Sequence, residues 1–384
     1  MNVDNEFKEQ TYPNEPNRFT ASHLEPLLEY CVKRNASDVI FQTNEPVLVE
    51  IYGRLHKITH RKLTNTEVGD LLNFMYGPNG TTQLLSGSDV DTHFEIRPTR
   101  ADRFRFRVNG TGCQVEGHAG IQVTLRTIPN EPPKLSELGL PQSIIDAIAP
   151  RDGVVYVTGA TGSGKSTLLA AIIRSIAEDN LSHRKILTYE SPIEFVFDAI
   201  EKPTSIVAQS EIPRNLPSFA AGVRNALRRT PRLILVGEAR DIETMSAVLE
   251  AALTGHPVYT TLHANGVAET IRRLVGTFPQ EERNGRSIDI IETIRLIIWQ
   301  QLAPTVDGKR MALREFLVFD EEVRDKLLSV NPEQATAMTR RLVKERGQPM
   351  IVDAERAFKE GRISERTFNV LSAGHRSADR DAGV

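Results

Sequence analysis

A glycine-rich loop, GATGSGKST, occupies residues 159–167 directly after the apolar stretch VVYVT at 154–158. Its glycines let the backbone turn tightly, so that successive N–H groups can point at phosphate oxygens. A helix that starts near Lys165 adds the positive end of its dipole. The pattern predicts a nucleoside triphosphate site rather than a plain glycine-rich turn. The residues predicted to bind the nucleotide are Gly159, Thr161, Gly162, Ser163, Gly164, Lys165, Ser166 and Thr167.

Two side chains of this loop and one distant carboxylate have the chemistry that phosphate transfer needs. Lys165 is placed to reach the β- and γ-phosphates, and the Ser166 hydroxyl to ligate Mg²⁺. The stretch LILVGEARD at 233–241 reads as a buried strand followed by Glu238. A carboxylate at the end of a strand beside the loop can hold the Mg²⁺ shell or orient water. Ser166 and Glu238 are therefore the predicted metal ligands; alternatively, Glu238 caps the next helix.

A second carboxylate and a histidine also follow apolar strands. In LTYESPIEF at 187–195, Glu190 comes at the end of the strand. A carboxylate held there can accept or direct a proton when water attacks ATP. In TGHPVYTTLHANG at 254–266, His263 follows a strand, where it could sense the γ-phosphate through a hydrogen bond. A lone histidine is more often structural, and that alternative stays open.

Arginines alternate with apolar residues in RFRFRV at 103–108, so Arg105 and Arg107 share one face of a strand. Neighbouring cations repel unless anions lie opposite. One interpretation is a solvated face. The other is that some of these arginines reach the γ-phosphate of a neighbouring subunit, where a guanidinium stabilises the charge of phosphoryl transfer. Arg126, near the end of the last strand of this half, is a further candidate.

Composition limits the class of protein. The 384 residues suffice for two domains, and 47 basic against 50 acidic residues give a net charge of −3, which predicts no general attraction to nucleic acid. Two isolated cysteines indicate neither a zinc site nor a disulfide framework. No apolar run reaches the roughly 18–20 residues of a membrane-spanning helix, and the polar start excludes a secretory signal. A cytoplasmic protein without membrane insertion is expected.

The chain changes its pattern near three prolines at 130–142. Before them, helices and short strands predict a small α/β domain with an antiparallel sheet. After them, apolar strands alternate with helices, which predicts a parallel sheet covered on both faces. Residues 286–304 show helical spacing, so a mostly helical region is expected after about residue 276. The predicted segments are a flexible arm at 1–17, a domain at 18–129, a linker at 130–142, a domain with a helical extension at 143–370 and a flexible tail at 371–384.

The motifs GATGSGKST, YESPIEF, LILVGEARDIET and ALTGHPVYTTLHANG, in this order, resemble the Walker A, Asp box, Walker B and His box of the PilT/GspE secretion ATPase superfamily. The resemblance covers most of 20–320 and includes RFRFRVN and WQQLAP. Stretches such as SEIPRNLPSFAAGVRNALRRTPR are most similar to the DotB/TraJ branch, which serves Dot/Icm-type type IVB secretion and conjugative transfer. Ser191 stands where the pilus retraction motors carry Asp, and the cysteine-rich zinc module of the GspE-type enzymes is absent, which favours that branch.

The resemblance implies a PAS-like N-terminal domain joined to a RecA-like ATPase domain in a homohexameric ring that uses ATP and Mg²⁺. It implies that Glu190 is the general base, that Glu238 is the Walker B carboxylate and that His263 senses phosphate. It makes Arg105, Arg107 and Arg126 arginine-finger candidates without a ranking. The expected function is a cytoplasmic ATPase motor, docked on an inner-membrane secretion or transfer complex and not binding nucleic acid directly. The alternatives are a pilus retraction motor and a slow nucleotide-dependent assembly scaffold.

Overall fold

The computed structural model describes residues 11–381 except 52, 100, 101 and 130, with the backbone alone at 333 and 374–381. These residues divide into two compact units. The first unit takes in the chain as far as 130 together with Pro192–Phe195. The second unit comprises Glu131–Ser191 and the chain from Val196 onward. Each unit has its own hydrophobic core.

The described residues of the first unit form a six-stranded antiparallel sheet with strand order β3-β2-β1-β6-β5-β4. Its strands are β1 (Asp38–Gln42), β2 (Leu48–Ile51), β3 (Arg54–Lys57), β4 (Val90–Ile96), β5 (Phe104–Val115) and β6 (His118–Ile128). Its helices are α1 (Ala21–Val32), α2 (Asn65–Tyr76) and α3 (Gly80–Leu85). Apolar side chains of these helices and of alternate strand positions fill the core between helices and sheet.

Helix α2 begins with a buried ionic capping arrangement. Thr64 Oγ1 accepts the Glu67 N–H, and the Glu67 carboxylate accepts the Thr64 N–H in return. Both carboxylate oxygens also accept from Arg61, at 2.7 and 3.0 Å, and one accepts the Phe19 N–H at 2.8 Å. Burial alone would raise the pKa of Glu67, but the hydrogen bonds from Arg61 and these N–H groups hold it at about 2. The carboxylate therefore fixes three separate pieces of chain.

The N-terminal segment 11–17 is packed within the first unit, whereas the sequence predicted a flexible arm at 1–17. The Tyr12 ring is buried edge-on against Tyr30, and its N–H donates to the Ile58 carbonyl at 2.7 Å. The Glu15 carboxylate accepts the N–H groups of His60 and Arg61. The prediction was wrong for these residues because one buried aromatic ring and one carboxylate suffice to hold a short polar segment. Residues 1–10 lie outside the described part of the chain.

In the second unit the described residues form a seven-stranded sheet with strand order β13-β12-β7-β11-β10-β8-β9, parallel except for β13. Every residue of its central strands β7, β10 and β11 is buried, as expected for a sheet covered on both faces. The strands are β7 (Gly153–Thr158), β8 (Lys185–Glu190), β9 (Ile206–Glu211), β10 (Leu233–Val236), β11 (Pro257–Leu262), β12 (Ile294–Pro304) and β13 (Arg310–Val318).

The helices of the second unit alternate with its strands and then follow β13 as a helical region. After a 3₁₀ turn at Leu135–Leu138 they are α4 (Gln142–Ala147), α5 (Lys165–Glu178), α6 (Phe219–Leu227), α7 (Ile242–Leu253), α8 (Val267–Gly276), α9 (Arg283–Thr293), α10 (Glu321–Leu328), α11 (Pro332–Arg346), α12 (Met350–Lys359) and α13 (Glu365–Asp381). The helical region that the sequence predicted at the C-terminal end is present as α10–α13.

The structure corrects two expectations about the C-terminal half. Residues 286–304 were expected to be helical, but only α9 is, and the chain from Ile294 forms β12 between β7 and β13. The apolar run there fits either period, and pairing with two strands decides the outcome. The predicted flexible tail at 371–384 begins inside α13, where Phe368 stacks on Phe358 at 5.0 Å and Leu371 packs on a small apolar cluster.

Candidate nucleotide-binding site

The glycine-rich loop at 159–164, here called the phosphate loop, connects the end of β7 to the start of α5. Gly159 has φ +146° and Gly164 has φ +82°, values that other residues rarely adopt. A Cβ on Gly159 would lie 2.3 Å from the Gln300 carbonyl oxygen, and one on Gly164 would lie 2.9 Å from Gln300 Nε2. Glycine is therefore required at both ends of the loop, because β12 passes directly behind it.

A chain of buried hydrogen bonds supports the loop from behind. Gln300 Nε2 donates to the Ser163 carbonyl at 2.6 Å, and Gln300 Oε1 accepts from Arg314 Nε at 2.9 Å. Arg314 also donates to the Leu138 carbonyl, and its own N–H donates to the Asp353 carboxylate. Burial lowers the pKa of Arg314 to about 10, still well above neutrality. The sequence analysis missed Gln300 and Arg314; the only signal was the position of Gln300 within WQQLAP.

The side chains predicted to bind the nucleotide lie at the start of α5. Lys165 Nζ donates to the carbonyls of Gly159 and Ala160 at 3.0 and 2.8 Å, so the ammonium is folded onto the loop. Ser166 is exposed in the first turn of α5, followed by half-buried Thr167. In the loop itself, Thr161 and Gly162 are exposed.

Ser163 Oγ is buried and has no hydrogen-bond partner among the described residues. A buried hydroxyl without a partner, beside a loop that only glycine can form, fits a phosphate group as the expected ligand.

The predicted carboxylates and histidine lie along one edge of the sheet. Strands β7, β11, β10 and β8 are parallel neighbours, so their carboxyl ends lie at the same edge. Glu190 ends β8, Glu238 follows β10, and His263 follows β11. His263 Nε2 is 3.5 Å from Glu238 Oε1, and its Nδ1 is 3.2 Å from the Gly159 carbonyl oxygen. Since a carbonyl oxygen can only accept, Nδ1 carries the proton. His263 therefore binds the phosphate loop and lies next to Glu238.

The Glu190 carboxylate is oriented by its neighbours in the sheet. Its Oε1 accepts from Thr188 Oγ1 at 2.6 Å and from Gln209 Nε2 at 3.0 Å. Thr188 and Gln209 are paired residues of β8 and β9, so the sheet register brings both to the same oxygen. Gln209 Oε1 also accepts the Phe197 N–H, at 3.1 Å. The sequence predicted Glu190 but neither of these partners, since β9 was not recognised as its neighbour.

A cleft of about 720 Å³ opens beside the phosphate loop. It is lined by residues of the loop, the His263 turn and α8, namely Gly159, Ala160, His263, Ala264, Asn265, Glu269, Arg272, Arg273, Gly276 and Thr277. Arg272 and Arg273 are exposed on α8 and were not among the predicted site residues. Their positive charge is suited to an anionic ligand.

The candidate arginine fingers lie in the first unit and have partners within the chain. Arg105 is 2% exposed and donates to the carbonyls of Ile193 and Glu194, each at 3.1 Å. Arg107 pairs with Asp91 at 2.7 Å, and this hydrogen bond raises the pKa of its guanidinium. A third pair joins Arg126 to Asp38, at 2.9 Å. Strands β4 and β1 thus supply carboxylates for these cations, and Arg105 also has two neutral carbonyl acceptors, so a plain solvated face does not describe Arg105.

The donor set also suits a magnesium ion held largely through nucleotide. Among the described residues no group of three or more His, Cys, Asp or Glu side chains forms a metal site. Ser166 and Glu238 offer oxygen donors, which Mg²⁺ prefers, and this ion usually completes its shell with phosphate oxygens and water.

Comparison with known proteins identifies the family. The family described as type II/IV secretion system protein matches residues 15–364. The chain belongs to this family. Over 299 residues, 78% of this chain and 83% of the relative, it is 34% identical to the type IV pilus retraction ATPase PilT of Pseudomonas aeruginosa.

Two solved structures have the same fold. The X-ray structure of the ATPase DotB from Legionella pneumophila matches with a TM-score of 0.84 and 63% identity, over 95% of this chain and 100% of that one. A pilus retraction motor PilT, solved with bound ADP, matches with a TM-score of 0.78 and 30% identity, over 91% of this chain and 96% of that one. The predicted resemblance, fold class and ATP hydrolase class are confirmed. None of the helices in the described ranges is long and apolar enough to span a membrane.

Proposed function

We propose that this secretion-family ATPase forms a homohexameric ring that powers a type IVB, Dot/Icm-like secretion or conjugative transfer machine. The observation that carries the ATPase chemistry is the arrangement of Glu190, Glu238 and His263 beside the phosphate loop at one sheet edge. The choice of machine rests on identity: 63% to DotB against 30% to PilT among the solved structures. The ring would act in the cytoplasm, docked on an inner-membrane complex through other proteins.

The residues of the site divide the work of hydrolysis. When the triphosphate binds, Lys165 leaves the loop carbonyls for the β- and γ-phosphates, and the Ser163 hydroxyl gains an acceptor. Ser166 and Glu238 would hold Mg²⁺, which supplies charge neutralisation for the transferred phosphoryl group. His263, which hydrogen-bonds to the Gly159 carbonyl and lies 3.5 Å from Glu238, would transmit the presence of the γ-phosphate to this carboxylate.

Glu190 is the proposed general base. Its carboxylate accepts two hydrogen bonds from Thr188 and Gln209, so its direction is set before substrate arrives. A water molecule bound to the other oxygen of this carboxylate would be aligned for attack on the γ-phosphate and would lose a proton to the carboxylate.

Arginine fingers from a neighbouring subunit are proposed for Arg107 and Arg126. Their side chains are 39% and 70% exposed. Arg107 pairs with the carboxylates of Asp91 and, at 3.8 Å, Glu194, and Arg126 pairs with that of Asp38; each guanidinium can exchange these carboxylates for phosphate. A guanidinium supplied in this way stabilises the charge that spreads over the transferred group. The same role predicted for Arg105 is reconsidered below.

Replacement Glu190→Gln tests the assignment because it keeps the hydrogen-bond geometry and removes the base. Turnover of ATP by the purified protein should fall about 1000-fold, within the usual range for a lost acid–base group, while ATP still binds. Steady-state phosphate release and nucleotide titration measure the two effects. If wild type and variant are equally slow while ATP still drives ring formation, the protein is an assembly scaffold and not a motor.

Complementation decides which machine is served. The wild-type gene, but not Glu190→Gln, should restore transport in a type IVB secretion strain that lacks its DotB. The same plasmids in a strain lacking PilT provide the control. Restored twitching there without restored secretion would assign the chain to pilus retraction instead.

A further inference from the structure

The Arg105 guanidinium is buried, and it binds the main chain of the segment that follows Glu190. Its two terminal nitrogens donate to the carbonyls of Ile193 and Glu194 at 3.1 Å each. Arg105, Ile193 and Glu194 all belong to the first unit. The segment of that unit that contains Ile193 and Glu194 starts at Pro192, two residues after Glu190 in the sequence. The planar guanidinium matches two adjacent carbonyls in a way that a lysine ammonium cannot.

The surroundings of Arg105 do not suit a side chain that serves another subunit. It is 2% exposed, whereas the side chains of Arg107 and Arg126 are far more open. Its Nε lies 4.0 Å from Glu95, which also pairs with Arg103 at 2.7 Å. To reach an external phosphate, Arg105 would have to break both carbonyl bonds and leave its partial counter-ion, and breaking buried charged bonds is costly.

We propose that Arg105 is a positioning residue that holds the loop after Glu190 in place for hydrolysis within its own subunit. This inference rests on the proposed role of Glu190. Ile193 comes three residues after Glu190, so the chain between them spans at most about 10 Å. Thr188 and Gln209 fix the carboxylate from the strand side. Arg105 fixes the main chain on the loop side, so its loss leaves the carboxylate anchored at one end only.

Kinetics of Arg105→Ala and Arg105→Lys give the first test, with Arg103→Ala, two residues away and also beside Glu95, as the matched control. Misplacement of a catalytic group by about 1 Å can cost about 100-fold, so kcat of Arg105→Ala should fall by about that factor while KM changes less than about threefold. Arg105→Lys should recover only a small part, and Arg103→Ala should stay within about twofold. An Arg105→Ala enzyme with wild-type kcat overturns the proposal.

Mixed rings separate positioning from a finger that acts across subunits. An Arg105→Ala subunit keeps its own Lys165, and a Lys165→Ala subunit keeps its Arg105. If Arg105 served the neighbouring nucleotide, mixing the two would create complete sites and restore turnover. We expect turnover no higher than the sum of the two variants alone, because each subunit lacks a residue that its own site needs. Recovery in this mixture overturns the proposal.

A mixture of Arg126→Ala with Lys165→Ala is the control for ring assembly. Recovery there, without recovery for Arg105, supports both the ring and the positioning role. If neither mixture recovers, the shared sites of the proposed ring are contradicted, and the role of Arg105 is decided by hydrogen exchange.

Hydrogen exchange of the nucleotide-free protein provides that readout without a ring. Amides of residues 191–197, including the Phe197 N–H bound to Gln209, should exchange faster in Arg105→Ala and in Arg105→Lys, but not in Arg103→Ala. Amides of β7 serve as the internal measure of folding, and the lysine variant covers the case in which Arg105→Ala does not fold. Unchanged exchange at 191–197 in a folded Arg105→Lys protein overturns the proposal.

Discussion

The two units of the molecule place their functional side chains by different means. In the second unit the strands are apolar and buried throughout, and the polar groups stand where strands end. Backbone geometry alone brings Glu190, Glu238 and His263 to one edge. In the first unit, arginines lie within strands and depend on carboxylates of neighbouring strands and on a distant loop.

This difference shows for which residues a functional role can be inferred from the nearby sequence alone. The position of a residue at the carboxyl end of a parallel strand is set by the sheet, so its type and its place in the sequence predict its role. An arginine within an antiparallel strand has several possible partners, and only the fold selects among them. Arg105, Arg107 and Arg126 look equivalent in sequence, but the exposure of their side chains ranges from 3% to 70%.

The largest effect is expected from the second unit, with Lys165→Ala. In the proposed site, loss of the ammonium removes the main charged contact with the β- and γ-phosphates. Charged contacts of this kind are worth several kcal/mol, so kcat/KM should fall about 1000-fold. The wild-type lysine donates to the carbonyls of Gly159 and Ala160 in its own loop, and we expect the change to leave the thermal stability of the fold nearly unaltered. Equilibrium ATP titration and a melting curve measure the two. Undiminished ATP binding would remove Lys165 from the site.

Gln300→Ala tests whether the loop depends on support from behind. The change leaves the Ser163 carbonyl and the buried Arg314 guanidinium each without one hydrogen bond. We expect kcat/KM to fall about 100-fold through a displaced phosphate loop, with a loss of stability of about 2 kcal/mol for the unmet buried groups. Gln301→Ala on the same strand is the matched control. A loss of stability with unchanged kcat/KM would make Gln300 purely structural.

The sequence predicted those parts of the site whose partners are close along the chain. The phosphate loop is a continuous motif, and the carboxylates follow apolar strands, so both follow from local patterns. The support of the loop by Gln300 joins residues 137 apart in sequence, and the Arg105 contact with Ile193 joins residues 88 apart. No local pattern encodes such pairs.

The fold shows the same limit. Alternation of apolar strands and helices predicted the parallel sheet, because helices that connect successive strands cover both faces of such a sheet. The run from Ile294 fits a strand or a helix equally well, and its assignment to β12 depends on β7 and β13 being available as partners. In the segment 11–17, composition predicted flexibility, but two side chains with distant partners, Tyr12 and Glu15, determined the result.

The smallest effect on turnover is expected from Glu67→Gln, which tests the ionic anchoring of the first unit. The carboxylate is 1% exposed and its pKa is about 2, below the value of about 4.3 in an unfolded chain. A carboxyl group whose pKa is lower in the folded protein stabilises the fold at pH values above its pKa in the unfolded chain. This contribution disappears as the pH falls through the pKa of the folded protein. At pH 7 the variant should lose about 2 kcal/mol of stability, from the size of the shift and the loss of ionic hydrogen bonds to Arg61.

Labelling of Cys31 and fluorescence of Trp299 can measure the unfolding of the two units separately. Cys31 is buried in the first unit, and Trp299, the single tryptophan, belongs to β12 of the second. In a Cys113→Ser background, labelling of Cys31 by a pyridyl disulfide should be faster in Glu67→Gln at pH 7. By about pH 3 the difference should shrink to less than half, because the wild-type carboxylate has lost most of its advantage there. Tryptophan fluorescence should report the same unfolding of the second unit in both proteins. Equal labelling at pH 7 would mean that the first unit, too, is held by its apolar core and not by buried ion pairs.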